Sequence, residues 1–186
     1  MDFDDILLDV EERMEKAADH LKHALTGIRT GRASPGLVDS LRVEAYGAET
    51  PLKQLGSIGV PEGNQIVIKP YDPGTLKDIE KAIQASDLGF NPQNDGKVIR
   101  VVVPALSTEV RRKMVSRIKE LSEEAKIAVR NVRRDGNRAA DQAQKDKTLT
   151  EDDCKNLKQE IQDLTKKYED QVSNLAANKE KEVMDV

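Results

Sequence analysis

Three stretches of this chain repeat apolar residues at alternating steps of three and four, and that spacing leaves few folds open. In the first, Phe3, Leu7, Val10, Met14, Ala17, Leu21, Ala24 and Ile28 form a heptad seam with no Gly or Pro before Gly27. A second seam runs through Val110, Met114, Ile118, Leu121, Ala125, Ala128 and Val132. Its helix is expected to start at a Ser107 or Thr108 cap and to end near Lys147, a rod about 60 Å long at 1.5 Å per residue. The third follows Leu157, Ile161, Leu164, Tyr168, Val172, Leu175 and Val183. A heptad rod buries its seam only against other rods, so three in one chain predict a long antiparallel three-helix bundle.

Rods 2 and 3 are separated by a short loop. Thr150 with Asp153 resembles a capping box, and Leu149 with Cys154 can staple across it, so Cys154 reads as a packing residue. Gly136 is expected to weaken rod 2 locally. Residues 139–147 carry few large apolar side chains and are expected to fray or protrude.

Between rods 1 and 2 the texture changes. Short β-prone runs occur at 41–46, 57–60, 65–70 and 97–103. One amphipathic helix over 75–86 places Leu76, Ile79, Ala82 and Ile83 on a single face, and Leu88-Gly89-Phe90 stops it. Residues 91–96 read as a turn whose Asp95-Gly96 leads into the last strand. Gly56 and Gly59 read as turn glycines, because a phosphate loop would need a Walker ending or G-x-G-x-x-G ahead of a helix. The fold class is therefore α+β with two domains: a bundle from residues 1–30 and 105–186, and an inserted small β/α/β domain from 31–104. Two crossings attach the insert, and Gly31, Arg32, Ala33 and Ser34 with Pro104, Ala105 and Leu106 are expected to act as one hinge.

Rod 2 carries the chain's most chemical stretch, AKIAVRNVRRDGNR at 125–138. At 100° per residue, Arg130, Arg133, Arg134 and Arg138 gather opposite Ala125, Ala128, Val129 and Val132. Planar guanidinium forks on one rigid face suit phosphate oxygens, so RNA or DNA is the first partner to consider. The other reading is a solvated face laced with ion pairs. Against it, Asp135 is the sole carboxylate between Lys126 and Arg138. Arg29 and Arg32 flank the glycine break that ends rod 1, where they either cap carbonyls or extend the basic surface. A net charge of −4 makes any such patch a local docking site on an acidic body. With 3% aromatics and no Trp, binding would rest on phosphate, sugar and shape more than on stacking.

Other classes are poorly served. A single cysteine forms no intramolecular disulfide and no multi-cysteine metal site, and suits a reducing compartment. His20 and His23 lie one turn apart without a third ligand and read as surface residues. Glu62, Asp72 and Asp95, the carboxylates a hydrolase could recruit in the insert, sit among turn residues that ordinarily cap backbone. The chain is expected to have no catalytic residues, metal, cofactor or small-molecule substrate. No signal pattern opens it and no apolar run approaches the ~20 residues that span a bilayer. A cytoplasmic monomer with no membrane partner is expected.

The runs IRTGRASPGL (28–37), EKAIQASDLGFNP (80–92) and AVRNVRRDGN (128–137), in that order and separation, closely resemble bacterial ribosome recycling factors. The likeness covers essentially the whole chain. It implies an L-shaped molecule that binds the ribosome after termination and, with elongation factor G and its GTP hydrolysis, separates it into subunits. The helical domain would lie against 23S ribosomal RNA of the large subunit, and the inserted domain would be pushed by elongation factor G. Carried over by position, Arg133 matches the family arginine most closely tied to activity, and Arg130 and Arg134 match its neighbours. Arg29 and Arg32 match a basic pair at the end of helix 1, and Gly136 stands where some relatives carry Ala. An exposed loop such as 60–64 is the expected contact for elongation factor G. The rival reading is a coiled-coil adaptor or chaperone whose rods bind protein helices and whose arginines only solubilise it.

Overall fold

The computed structural model describes residues 1–184 and divides the chain into two compact units, Met1–Leu25 with Lys113–Val186, and Thr26–Arg112. The three rods appear as α1 (Phe3–Thr26), α4 (Thr108–Lys145) and α5 (Glu151–Met184). The insert holds strands β1 (Arg42–Ala45) to β6 (Ile99–Val102) and helices α2 (Leu52–Leu55) and α3 (Leu76–Ala85). Where sequence places the domain boundaries at 30/31 and 104/105, the units part at 25/26 and 112/113. Residues near both crossings are tied to the second unit. A Cβ on Gly31 would stand 3.7 Å from Leu106 Cγ, the Ala33 N–H donates to the Gly63 carbonyl (2.7 Å), and the Val103 N–H donates to that of Asn64 (2.7 Å).

In the first unit, the deepest residues of α1 are Ile6, Val10, Met14, Ala18, Leu21 and Leu25. The stripe is broader than the expected heptad seam and centred one position away from it at three places, leaving Phe3, Leu7, Ala17 and Ala24 half-buried on its edge. The cause is that α1 faces two partners, and a helix in a globular bundle presents more than a strict a/d row. On α4 the stripe is Ile118, Ser122, Ala125, Val129, Val132, Gly136, Ala140 and Ala143. Residues 139–145 therefore do not fray: Ala140 is fully buried and Ala143 nearly so, because small side chains there let the partner rods approach. Lys147 turns the chain with φ +60°, and the Thr148 and Leu149 N–H groups close on the Ala143 carbonyl.

Gly136 is likewise no weak point. A Cβ there would meet Val10 Cγ2 at 2.6 Å and Ile161 Cδ1 at 3.1 Å, so its bare backbone is what lets α1, α4 and α5 close on one another. The caps follow the sequence. Ser107 Oγ accepts from the Val110 N–H (3.3 Å), and Thr150 Oγ1 accepts from that of Asp153 (3.1 Å). Asp153 Oδ2 accepts in turn from the Thr150 N–H (3.2 Å) and hydroxyl (2.6 Å), completing the capping box. Asp2 and Asp5 form the same reciprocal pair at the start of α1.

The second unit packs α3 and the hairpin of β1 and β2 (Ala48–Pro51) with a four-stranded antiparallel sheet. The sheet order is β3 (Gly56–Glu62), β4 (Gln65–Pro70), β6, β5 (Pro92–Asn94). Two strands escape the sequence patterns. The β2 strand has no apolar alternation, and β5 lies within the segment read as a turn. Pro92 fits there because β5 is an edge strand, where a missing N–H costs least. The turn that follows is built by Asn94 Oδ1, which accepts from Gly96 N (2.7 Å), and Asp95 Oδ1, which accepts from Lys97 N and Val98 N (2.9 Å each). Gly56 and Gly59 lie in β3 rather than in a turn. Gly56 is demanded by close approach, since a Cβ would stand 2.7 Å from the Lys69 carbonyl oxygen. The core is Val43, Leu52, Ile66, Ile68, Ile79, Ile83 and Ile99, each fully buried, with Phe90 closing one side at 3% exposure.

Candidate nucleic-acid interface

Burial of Ala125, Val129, Val132, Gly136 and Ala140 fixes the rotation of α4 and turns its arginines outward. Arg134 and Arg138 are exposed, while Arg130 and Arg133 sit half-buried on the flank of the core stripe. Counting carboxylates along the sequence understates what these arginines meet in space. Arg130 Nε lies 2.7 Å from Glu169 Oε1 and its Nη1 lies 3.5 Å from Glu123 Oε1, so it straps α4 to α5. Asp135 Oδ2 is held at 2.7 Å by Arg13 of α1 and its other oxygen lies 4.0 Å from Arg138. The hydrogen bond from Arg13 lowers the Asp135 pKa, and that pairing raises the pKa of Arg13.

The face is thus divided. Among the described residues Arg133 and Arg134 enter no ion pair, and Arg138 keeps only a long contact with its side chain 81% exposed. These three guanidinium groups have most of their hydrogen-bonding capacity open to an anion. Arg138 belongs with them on geometry, and the signal for it was present in the 100° spacing.

Arg29 and Arg32 belong to the second unit. Arg29 places its guanidinium 5.4 Å from the centroid of Phe90, and its Nε is buried without an acceptor. Its first task is a cation–π contact on the insert's core. Arg32 is exposed and uses its backbone N–H on Thr30 Oγ1 (3.4 Å). Of the hinge set, Gly31 has φ +78° and Ser34 Oγ caps a turn at Gly36 N (3.3 Å). Pro104 and Ala105 are exposed, and Leu106 is buried.

The remaining candidates behave as ordinary structure. Asp72 accepts from the Tyr46 hydroxyl and from Gly74 N, which together lower its pKa, and Asp95 is lowered by the backbone donors it caps. Cys154 is 3% exposed in the bundle core, 4.0 Å from an Asp141 oxygen that Lys158 holds at 2.5 Å. His20 and His23 are exposed, and among the described residues no three His, Cys, Asp or Glu side chains converge as a metal set. The stretch 60–64, expected as an exposed loop, continues β3 as far as Glu62: Val60 is half-buried on the insert's core, residues 61–64 are exposed, and the carbonyls of Gly63 and Asn64 anchor Ala33 and Val103. No helix among the described residues is long and apolar enough to cross a membrane.

Comparison with known proteins places this geometry in context. The family model described as Ribosome recycling factor matches residues 21–184. The chain is 69% identical over 140 residues to the ribosome-recycling factor of Rhodopirellula baltica, covering 75% of each chain. It is 50% identical over 182 residues to that of Halalkalibacterium halodurans, covering 98% of each. A solution structure of the ribosome recycling factor superposes with a TM-score of 0.78 at 42% identity, over 100% of this chain and 99% of that one. A second similar chain comes from models of the T. thermophilus ribosome recycling factor and the E. coli elongation factor G bound to the E. coli post-termination complex. There the TM-score is 0.70 at 36% identity, over 99% of this chain and 100% of that one. With a family model spanning most of the sequence and relatives matched nearly end to end, the chain belongs to the ribosome recycling factor family.

Proposed function

We propose that this chain binds the large ribosomal subunit after termination and, with elongation factor G and GTP, splits the ribosome so that its subunits can initiate again. The observation that carries the RNA-binding part is the α4 face, where among the described residues Arg133 and Arg134 stand without carboxylate partners on a helix fixed by its buried stripe. Phosphate contacts from such a face position the protein and carry little base information. In this reading Arg130 holds α4 against α5 while its remaining donors face the RNA. Arg29 and Arg32 provide a second basic contact, and Arg32 is the freer of the two. Gly31, Arg32, Ala33 and Ser34 with Pro104, Ala105 and Leu106 yield when elongation factor G loads the insert at residues 60–64. The factor acts mechanically, without bond chemistry or a cofactor of its own, in the cytoplasm and as a monomer.

Co-sedimentation with purified large subunits across a salt series tests the reading. Binding is expected to fall steeply with salt. Arg133→Ala is expected to weaken it roughly five- to tenfold and to flatten the logarithmic salt slope by about 1. Lys166→Ala, an exposed cation on α5, serves as the control and should match the parent. Absence of binding at low salt, or equal binding by the Arg133 variant, would sink the arginine-face mechanism and favour the protein-binding adaptor.

A further inference from the structure

The arginine row contains one residue that phosphate chemistry leaves unexplained. Ile127 is 49% exposed in the middle of α4. At 100° per residue it points within about 20° of both Arg134 and Arg138, about two and three turns further along a row in which the exposed Asn131 comes first. Among the described residues, the other strongly exposed large apolar residues of the first unit are Met1, Leu8 and Met184, and none lies on α4. A β-branched side chain on an open helix face contributes little to the helix, and here about half of it stays open in the free protein.

Its surroundings define what could cover it. Toward the helix N-terminus stand Glu123 and Glu124, which disfavour a phosphate at this end of the row. Glu123 is engaged by Arg130, whose guanidinium is drawn toward α5 and so leaves Ile127 open. Toward the C-terminus, Arg134 lies about 10 Å along the axis. The row therefore changes character along its length, from cations to an apolar spot bounded by acids.

We propose that Ile127 is the nucleoside-contacting position of this face, packing on the ribose or base of a nucleotide whose neighbouring phosphates are held by Arg134 and Arg138. The proposal rests on the RNA-binding reading above and adds to it a contact that senses the neutral part of the strand. Such a contact releases no counterion, so its signature is a change of affinity without a change of salt slope.

The test repeats the large-subunit salt series with Ile127→Ser, Ile127→Lys and Ile127→Met, and checks the thermal midpoint of each. Ile127→Ser should bind about fivefold more weakly with the parent's slope, as expected for loss of an apolar face against a nucleoside. Ile127→Lys should also bind more weakly near physiological salt despite its extra charge, while Ile127→Met, apolar and a good helix former, should keep the parent affinity. Parent-like binding by the Ser variant overturns the assignment. So does tighter binding with a steeper slope by the Lys variant, which would make the position a phosphate neighbour. If the parent binds and Arg133→Ala weakens it while the Ile127 variants do not, only this assignment falls. If the parent does not bind at low salt, the RNA-binding reading falls first.

Discussion

At Gly136 two effects of opposite sign meet. Replacing a mid-helix glycine by alanine favours the helix by about 1 kcal/mol. The new Cβ would stand 2.6 Å from Cγ2 of Val10, a stiff side chain that is only 1% exposed, and 3.1 Å from the end of Ile161, which is fully buried. Ile161 can yield by rotating its terminal methyl, whereas Val10 cannot without moving α1. Overpacking of this kind costs about 1–3 kcal/mol, which outweighs the propensity gain. Gly136→Ala is therefore expected to lower stability by about 1 kcal/mol in urea unfolding. Val10→Ala should relieve the clash, so the double variant should lie at least 1 kcal/mol above the sum of the singles. An additive pair, or a stabilised Gly136→Ala, would show that the bundle opens freely at this level. The same residue-level logic separates Arg130 from Arg133. Adjacent on the face in sequence, they differ because only Arg130 has Glu169 and Glu123 within ion-pair reach.

The helices are defined by their ends as much as by their stripes. The Thr150–Asp153 box fixes where α5 starts, and Leu149 with Cys154 closes the staple beneath it. Thr150→Ala removes the acceptor of the Asp153 N–H and is expected to cost about 1 kcal/mol, as N-cap losses do. The box also sets a pH dependence. The Asp153 pKa is lowered, first by the Thr150 hydroxyl and then by its backbone N–H. Its folded value thus lies below its unfolded one, so its contribution is complete above the usual carboxylate range near pH 4 and is lost as pH falls through the folded value. Thermal midpoints measured from neutral to acid pH should show the parent losing part of its advantage over Thr150→Ala below about pH 4. A gap that stays constant or widens in acid would refute this role.

That box was legible in the sequence because capping is local, and the three rods were legible because helical periodicity is local too. The α4 arginine face followed from the same rule. What escaped depends on which groups approach across elements. Glu169 lies 39 positions from Arg130 and Arg13 lies 122 from Asp135, so their pairing is invisible to spacing. Gly136 and Gly56 look like breaks until a second backbone or side chain is placed against them. Strands β2 and β5 lack an apolar alternation and form only because β1 and β6 offer partners.

At the scale of the whole molecule, each unit has a hydrophobic cluster of its own. One gathers Val10, Met14, Val129, Leu157 and Ile161, and the other gathers Ile66, Ile68, Ile79 and Ile99. The first is built from long helices, the second from sheet and the short helices α2 and α3, and no residue is shared between the two clusters. Independent cores confer independent stability. Ile68→Ala and Leu157→Ala, both at fully buried positions, are each expected to remove about 3 kcal/mol from their own core. Hydrogen exchange followed peptide by peptide should show the loss confined. With Ile68→Ala, the slowest amides of β4 and β6 exchange faster while those in the middle of α1 and α5 stay within about 0.5 kcal/mol of the parent. With Leu157→Ala the pattern should invert. A matching drop in both units for either variant would mean that the chain unfolds as one cooperative body.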